Sequence, residues 1–481
     1  MKPVKVLLFL VVCLTCVGLV SVIFPKEGVK LWGETTLSFP NLKEKISPKI
    51  DSTLSVAKLK AIEEKKSLTE KKEAILKKVH RSSADTLVLM QVVASESPAK
   101  FYFMNDDRSV MDKFFAALET SQRDNTSFRI IHYGDSQIEM DRISSYLREQ
   151  LQRSYGGSGM GLLPALEVTP KYTVAQESEG GWARKLAFGS ESGRAKHNRY
   201  GPMGYFCQKE SYVASVVITA RENTSYKNRN FKQCKVVVGA IDKPLEISIA
   251  ANGKVIENQT IQASNSEQLV TFNVDSAKGK IGLKFIGSKA DILGIALDGT
   301  SGVSVDNVPM RGCSGNIFKR LNAETLRKTY DMLGVKMLIL QFGGNALPGM
   351  KSKANAEAYG KKILEELNFL KSIDPGLLLF LIGPADMSTK INGTLQTHPQ
   401  LENVRDALKN ATLQAGGVFW DMYEAMGGNG SMIEWVKAKP SLGSPDYIHY
   451  TQKGAAKISE IFYASLMKEY EIYKLKKKIG S

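Results

Sequence analysis

Histidine is scarce in this chain: there are five in 481 residues, alongside five cysteines and four tryptophans. The cysteines show no metal-ligand spacing and are too few for a disulfide scaffold, so no cysteine-held metal or cofactor is expected. Cys13 and Cys16 fall in an apolar stretch, leaving Cys207, Cys234 and Cys313. Cys207 and Cys234 could pair in an oxidising compartment; buried free thiols are the alternative. Nucleic-acid motifs are also missing. The formal charge of +16, from 65 Lys plus Arg against 49 Asp plus Glu, gathers in runs such as Lys65-Lys66, Lys71-Lys72, Lys77-Lys78 and 474–478. These runs lack interleaved aromatics and read as solvated faces, so nucleic acid is not an expected partner.

What is present is an ordinary globular composition, 43% hydrophobic and 24% charged, which excludes a disordered, collagenous or multi-span membrane chain. At roughly 100–200 residues per domain the length suggests about two to four domains. Residues 6–24 are almost wholly apolar and follow Lys2 and Lys5. At 1.5 Å per residue they span about 28 Å, close to the thickness of a bilayer core. Residues 19–24 make a poor small-residue cleavage site, which favours an uncleaved anchor over a signal peptide within 1–25. With the basic end inside, the rest is expected in the periplasm or another extracytoplasmic space, held to the inner membrane.

Residues 26–98 read as a partly helical tether, with 59–78 charged and helix-prone. Beyond it, Val110, Met111, Phe114, Phe115 and Leu118 repeat at helical spacing behind the capping candidates Asp106 and Asp107. Residues 128–133 read as a strand. A helix from about Asp141 carries Ile143, Tyr146, Leu147 and Leu151 and stops at Gly156-Gly157. Short β-branched runs separated by turn residues then predict an inserted antiparallel β-sandwich over 166–295. After it, the apolar runs 335–342, 377–382 and 418–421 suit parallel strands covered by helices on both faces. The expected architecture is one α/β domain, 99–165 plus 296–470, interrupted by that all-β domain and followed by a basic tail, 471–481.

Gly134-Asp135-Ser136 follows the strand 128–133 directly, which places a serine hydroxyl at the carboxyl edge of the sheet where α/β proteins bind ligands. Taken alone, the tripeptide is equally a turn or a helix cap. A nucleophilic serine needs a base, and Asp446-x-x-His449 lets one short loop present an imidazole together with the carboxylate that orients it. His132 reads as a packed core histidine, and His80, His197 and His398 lack a comparable partner. Asn345, after the buried strand 335–342, and the N–H of Gly312 are candidate oxyanion donors.

In this order the segments resemble the blocks of the GDSL/SGNH hydrolases: Gly134-Asp135-Ser136 the first, Gly312 the second, Gly343-x-Asn345 the third and Asp446-x-x-His449 the fifth. The resemblance covers the α/β domain and implies a three-layer α/β/α fold without a metal. It also implies a catalytic set of Ser136, Asp446 and His449, with Ser136, Gly312 and Asn345 forming the oxyanion hole. Residues 131–137, with Gly157-Ser158-Gly159-Met160-Gly161, are similar to a periplasmic branch of peptidoglycan O-acetylesterases that is sometimes linked with membrane O-acyltransferases. Gln137 and Ala346 depart from the common pattern, in which a small or apolar residue follows the serine and an acid follows the asparagine. The resemblance implies an esterase acting on an O-acetylated glycan; a transferase using the same triad is an alternative. A second class is a non-catalytic glycan binder, in which Trp182, Tyr200, Tyr205 and Tyr212 could stack on sugars; packing in the core or an entry loop is the favoured alternative for these rings.

Overall fold

The structure is a computed structural model that describes residues 29–32, 35–37, 88–92, 99–167, 169–274 and 279–480. The apolar segment 6–24, the helix-prone stretch 59–78, His80, Cys13 and Cys16 lie outside the described residues. Among the described residues no helix is long and apolar enough to cross a membrane. The chain divides into Met1–Ala84 and Asp85–Ser481. In the first unit, β1 (Val29–Trp32) and β2 (Thr35–Leu37) form an antiparallel hairpin.

The second unit opens with β3 (Phe101–Tyr102), α1 (Ser109–Arg123), β4 (Ser127–Gly134) and α2 (Ser144–Tyr155). The N-cap of α1 is Arg108, whose side chain makes no capping bond, rather than Asp106 or Asp107; Asp107, one residue earlier, takes the N–H of Ser109 at 2.9 Å. α2 starts later than the sequence pattern suggests, because Met140 and Asp141 adopt positive φ angles of 64° and 63° and turn the chain before the helix begins.

A run of antiparallel strands follows: β5 (Gly161–Leu163), β6 (Val174–Glu179), β7 (Trp182–Leu186), β8 (Tyr205–Lys209) and β9 (Val213–Ala220). After the single turn α3 (Tyr226–Arg229) come β10 (Gln233–Val238), β11 (Leu245–Ala251), β12 (Lys254–Ile261), β13 (Gln268–Asn273), β14 (Lys280–Gly287) and β15 (Ala290–Asp298). They form two sheets, β13-β10-β15-β8-β7 with β5 beside β15, and β12-β11-β14-β9-β6. Val236 and Val238 of β10 and Ile247 and Ile249 of β11 belong to one buried cluster, so the two sheets share an apolar core. β5 and β15 extend this antiparallel pairing from Gly161 to Asp298, a little beyond the expected 166–295 on both sides.

The chain continues with β16 (Gly302–Pro309), α4 (Ala323–Leu333), β17 (Val335–Gln341), α5 (Lys353–Ile373), β18 (Leu378–Ile382), the hairpin β19 (Ser388–Ile391) and β20 (Thr394–Thr397), and α6 (Leu401–Gln414). It ends with β21 (Val418–Trp420), α7 (Met422–Met426), α8 (Ser431–Lys437) and α9 (Gln452–Gly480). The central sheet has the order β16-β4-β17-β18-β21-β3; all its pairings are parallel except that of β3. Along β4, Phe128 and Ile130 enter a cluster with α1, α2 and α9, whereas Ile131 and Tyr133 enter one with α4, α5 and α6. Both faces of the strand are therefore buried, with the polar Arg129 and His132 included. Both faces of the sheet are thus covered by helices.

The residues 471–481, expected as a tail, are largely the last turns of α9. Ile472 and Tyr473 are buried, Tyr473 lies 5.7 Å from Phe115, and Lys476 and Lys477 reach Asp112 and Glu119 of α1 at 3.0 and 2.8 Å. Cys207, Cys234 and Cys313 are buried free thiols. Cys207 and Cys234 sit on opposite sides of β15, facing Ile292 and Leu297 respectively. An intervening strand and five residues of offset, at about 3.4 Å each, put them far beyond bridging distance.

Candidate active site

Parallel register brings the candidate residues to one edge. Gly134 of β4 is level with Pro309 of β16 on one side and Gln341 of β17 on the other. Ser136, Gly312 and Asn345 each follow those positions by a few residues, so all three emerge from the carboxyl ends of adjacent strands.

The nucleophile loop is held tightly. The Asp135 carboxylate accepts the N–H of Gln137 at 2.9 Å, capping the tight turn that begins at Ser136. Asp135 is almost fully buried. Burial pushes its carboxyl up to about 6, against the opposing pull of the Gln137 N–H, His449 and the Asn345 side chain.

The base comes from the loop between α8 and α9, which closes through a bridge between Gly443 and Tyr450 and a bond from the Ser444 N–H to the His449 carbonyl at 2.8 Å. Asp446 accepts from the N–H groups of Ile448 and His449 through Oδ1, at 2.9 and 3.0 Å, and lies 2.7 Å from His449 Nδ1 through Oδ2. Although burial alone pushes it up, the His449 N–H, the imidazole and the Ile448 N–H hold the Asp446 carboxyl below the usual carboxylate range. An ionised carboxylate only accepts, so the proton belongs on Nδ1 and leaves Nε2 as the acceptor. Nε2 lies 2.8 Å from Ser136 Oγ. The hydroxyl, imidazole and carboxylate therefore stand in one hydrogen-bonded line, although 313 residues separate Ser136 from His449.

Gly312 adopts a positive φ of 77°, with open space where a Cβ would stand, and its N–H makes no hydrogen bond among the described residues. Asn345 Nδ2 donates to the Cys313 carbonyl at 3.3 Å, which ties the third segment to the second. The Gly312 and Asn345 amides thus emerge at the same sheet edge as Ser136, the kind of donors a developing oxyanion requires. Among the described residues no cluster of His, Cys, Asp or Glu is arranged to hold a metal ion.

The sequence reading overlooked Arg142. Its guanidinium donates to the carbonyls of Glu139 and Tyr450, each at 3.0 Å, and to that of Ser136, clamping the nucleophile loop to the base loop. Nothing local marks such a role, since its partner Tyr450 is 308 positions away. His132 is a core histidine, 3.1 Å from Gln341 Oε1 and 2.9 Å from Ser144 Oγ. His197 does have a carboxylate partner, Asp291 at 3.0 Å, which the sequence hid because the two are 94 residues apart. Of the aromatics considered for sugar stacking, Tyr200 and Tyr205 are buried and Trp182 packs edge-on against Phe285; Tyr212 is exposed.

No family model and no curated protein sequence matches the chain. Among solved structures it aligns with a peptidoglycan O-acetylesterase at a TM-score of 0.60 and 19% identity, over 76% of this chain and 98% of that one. A family two carbohydrate esterase from Clostridium thermocellum, in complex with cellohexaose, aligns at a TM-score of 0.25 and 10% identity, over 61% of this chain and 100% of that one. A Corynascus thermopiles esterase of the same family aligns at 0.27 and 12%, over 55% and 96%. The first likeness bears on the fold: this chain shares the architecture of that solved structure over most of its length.

Proposed function

We propose that the protein is a serine esterase that removes O-acetyl groups from a cell-envelope polysaccharide, with peptidoglycan the favoured substrate. The observation that carries the reading is the Ser136–His449–Asp446 line at 2.8 and 2.7 Å. The shared fold with a peptidoglycan O-acetylesterase supports the choice of substrate.

In this mechanism His449 Nε2 takes the Ser136 proton as Oγ attacks the acetyl carbonyl. The N–H groups of Ser136 and Gly312 and the Asn345 side chain stabilise the oxyanion, and Asp446 holds the imidazole in its tautomer. The protonated imidazole returns the proton to the departing sugar oxygen, leaving acetyl-Ser136. Water, deprotonated by His449, then releases acetate; a sugar hydroxyl in place of water would make the site a transferase. The export of the catalytic part is a piece of the same proposal and rests on Lys2 and Lys5 before the apolar stretch 6–24.

The test is acetate release from O-acetylated peptidoglycan, together with labelling by a fluorophosphonate. Wild type is expected to release acetate and take one adduct on Ser136, and Ser136→Ala to do neither. Equal acetate release by the two proteins would refute the assignment. Acetyl groups moved to an added glycan faster than to water would identify the transferase.

A further inference from the structure

A cleft of about 330 Å³ opens between residues of the antiparallel sheets and the segments that follow β4 and β16. Its near wall is the pair Glu139 and Arg311, joined at 2.7 and 2.5 Å. Glu139 lies three residues beyond Ser136, and Arg311 immediately precedes Gly312, so this wall belongs to the two segments that carry those candidate residues. Its far wall comes from the β domain: Arg184 of β7, Phe188 just after it and Tyr205 of β8. Lys171 and Glu167 also line it.

The charges in this cleft do not cancel. Arg311 and Glu139 satisfy each other. Lys171 is 7% exposed, and burial pushes its ammonium down despite Asp141 and Glu167. Asp141 is itself engaged by both Arg148 amino groups at 2.8 and 3.0 Å and by Thr173 at 2.7 Å, which leaves Arg184 as the unmatched charge of the cleft. Burial pushes the Glu167 carboxyl up, toward its neutral form, despite Lys171. The Arg184 guanidinium stacks 4.4 Å above the Tyr205 ring, and its Nε is buried with no hydrogen-bond partner. A buried charged donor without an acceptor is costly, of order 1–3 kcal/mol, and a carboxylate oxygen is the acceptor that suits it best. Phe188, half-buried and edge-on to Tyr205 at 6.3 Å, adds an apolar face of the kind a pyranose ring covers.

We propose that this cleft is a subsite for a carboxylate-bearing sugar of the acetylated glycan. The acid accepts from Arg184 and faces Lys171, the ring lies on Phe188, and the ester passes Arg311 to reach Gly312 and Ser136. The proposal deepens the esterase reading and rests on it for the reaction. The carboxylate can belong to a lactyl ether on an amino sugar or to a uronic acid; both present the same chemistry to Arg184.

The experiment measures kcat/KM of the full chain on three O-acetylated substrates: a peptide-free amino-sugar strand with lactyl acids, a uronic acid polymer and a neutral xylan. Arg184→Gln is expected to lower the ratio of acidic to neutral kcat/KM at least tenfold, and the acidic substrate with the larger loss identifies the source. Methyl esterification of the glycan acids should lower wild-type turnover to the neutral level, a readout that needs no variant. An unchanged ratio, or indifference to esterification, overturns the subsite. Calorimetric binding of the deacetylated acidic glycan to Ser136→Ala requires no chemistry. Adding Arg184→Gln should weaken it at least tenfold; equal affinities would also overturn the subsite. Arg184-dependent binding by a wild type that releases no acetate would instead uphold the cleft and remove the esterase.

Discussion

The side-chain amide of Gln137 donates to the Ile448 carbonyl at 2.5 Å, so the residue after the nucleophile is bonded to the residue before the base. A small or apolar residue, common at this position in the resembling family, makes no such bond. With Arg142, which bonds to the Ser136 and Tyr450 carbonyls, it joins the two loops that must stay in register for Oγ and Nε2 to meet.

Loosening this clamp should affect the chemical step. A misplacement of about 1 Å can cost on the order of 10² in rate. Arg142→Gln is therefore expected to lower kcat on p-nitrophenyl acetate by roughly ten- to a hundredfold, with a smaller change in KM and partial recovery in Arg142→Lys. Rates should be normalised to active sites counted with a fluorophosphonate. If kcat per labelled site equals wild type, Arg142 stabilises the fold without positioning the triad.

In the proposed mechanism Asn345→Ala removes one oxyanion donor, an expected loss of roughly 10²–10³ in kcat. Circular dichroism should stay native-like, because Asn345 sits in a surface turn at the sheet edge. A variant that retains wild-type kcat would show that the Asn345 side chain faces Cys313 and Asp135 alone.

Two buried groups below the site should bend the pH–stability curve in opposite directions. Burial pushes the Asp135 carboxyl up to about 6, from an ordinary value near 3.8. Between these values the folded state holds the extra proton, so its contribution falls as pH rises. Burial pushes the His132 imidazole down to about 4, against the weaker pull of Gln341, from an ordinary 6.5. There the unfolded state holds the extra proton, and stability rises with pH. Asp135→Asn keeps the acceptor for the Gln137 N–H and removes one slope. Its stability should climb more steeply than wild type between pH 4 and 6, by up to about 1.4 kcal/mol per pH unit. Urea unfolding at pH 4, 5, 6 and 7 measures this. Parallel curves for variant and wild type would mean that Asp135 is ionised throughout the range.

Several parts of the molecule were legible in the residue order. The apolar runs at β17, β18 and β21 are buried on both faces, so their pattern needs no partner to be recognised. β16 escaped notice for the converse reason. Ser304, Asp306 and Asn307 are buried polar residues, and the partners of the latter two lie far along the chain: Arg129 Nη1 reaches Asp306 at 2.6 Å, and Asn307 reaches Ser144 at 3.0 Å. The strand that delivers Gly312 therefore looks like a loop until its partners are in place.

The residue order by itself determined which chemical groups the site contains, because a serine after a strand and an Asp-x-x-His in a short loop are local patterns set by turn and strand physics. Tertiary structure decided everything that depends on separation through space: the 2.8 Å between Ser136 and His449, the Arg142 clamp, and the Arg184 cleft made by two parts of the fold. Hydrogen bonds and buried charges act over a few ångströms, whereas the groups that form them here lie up to 313 residues apart. Only folding converts the one distance into the other.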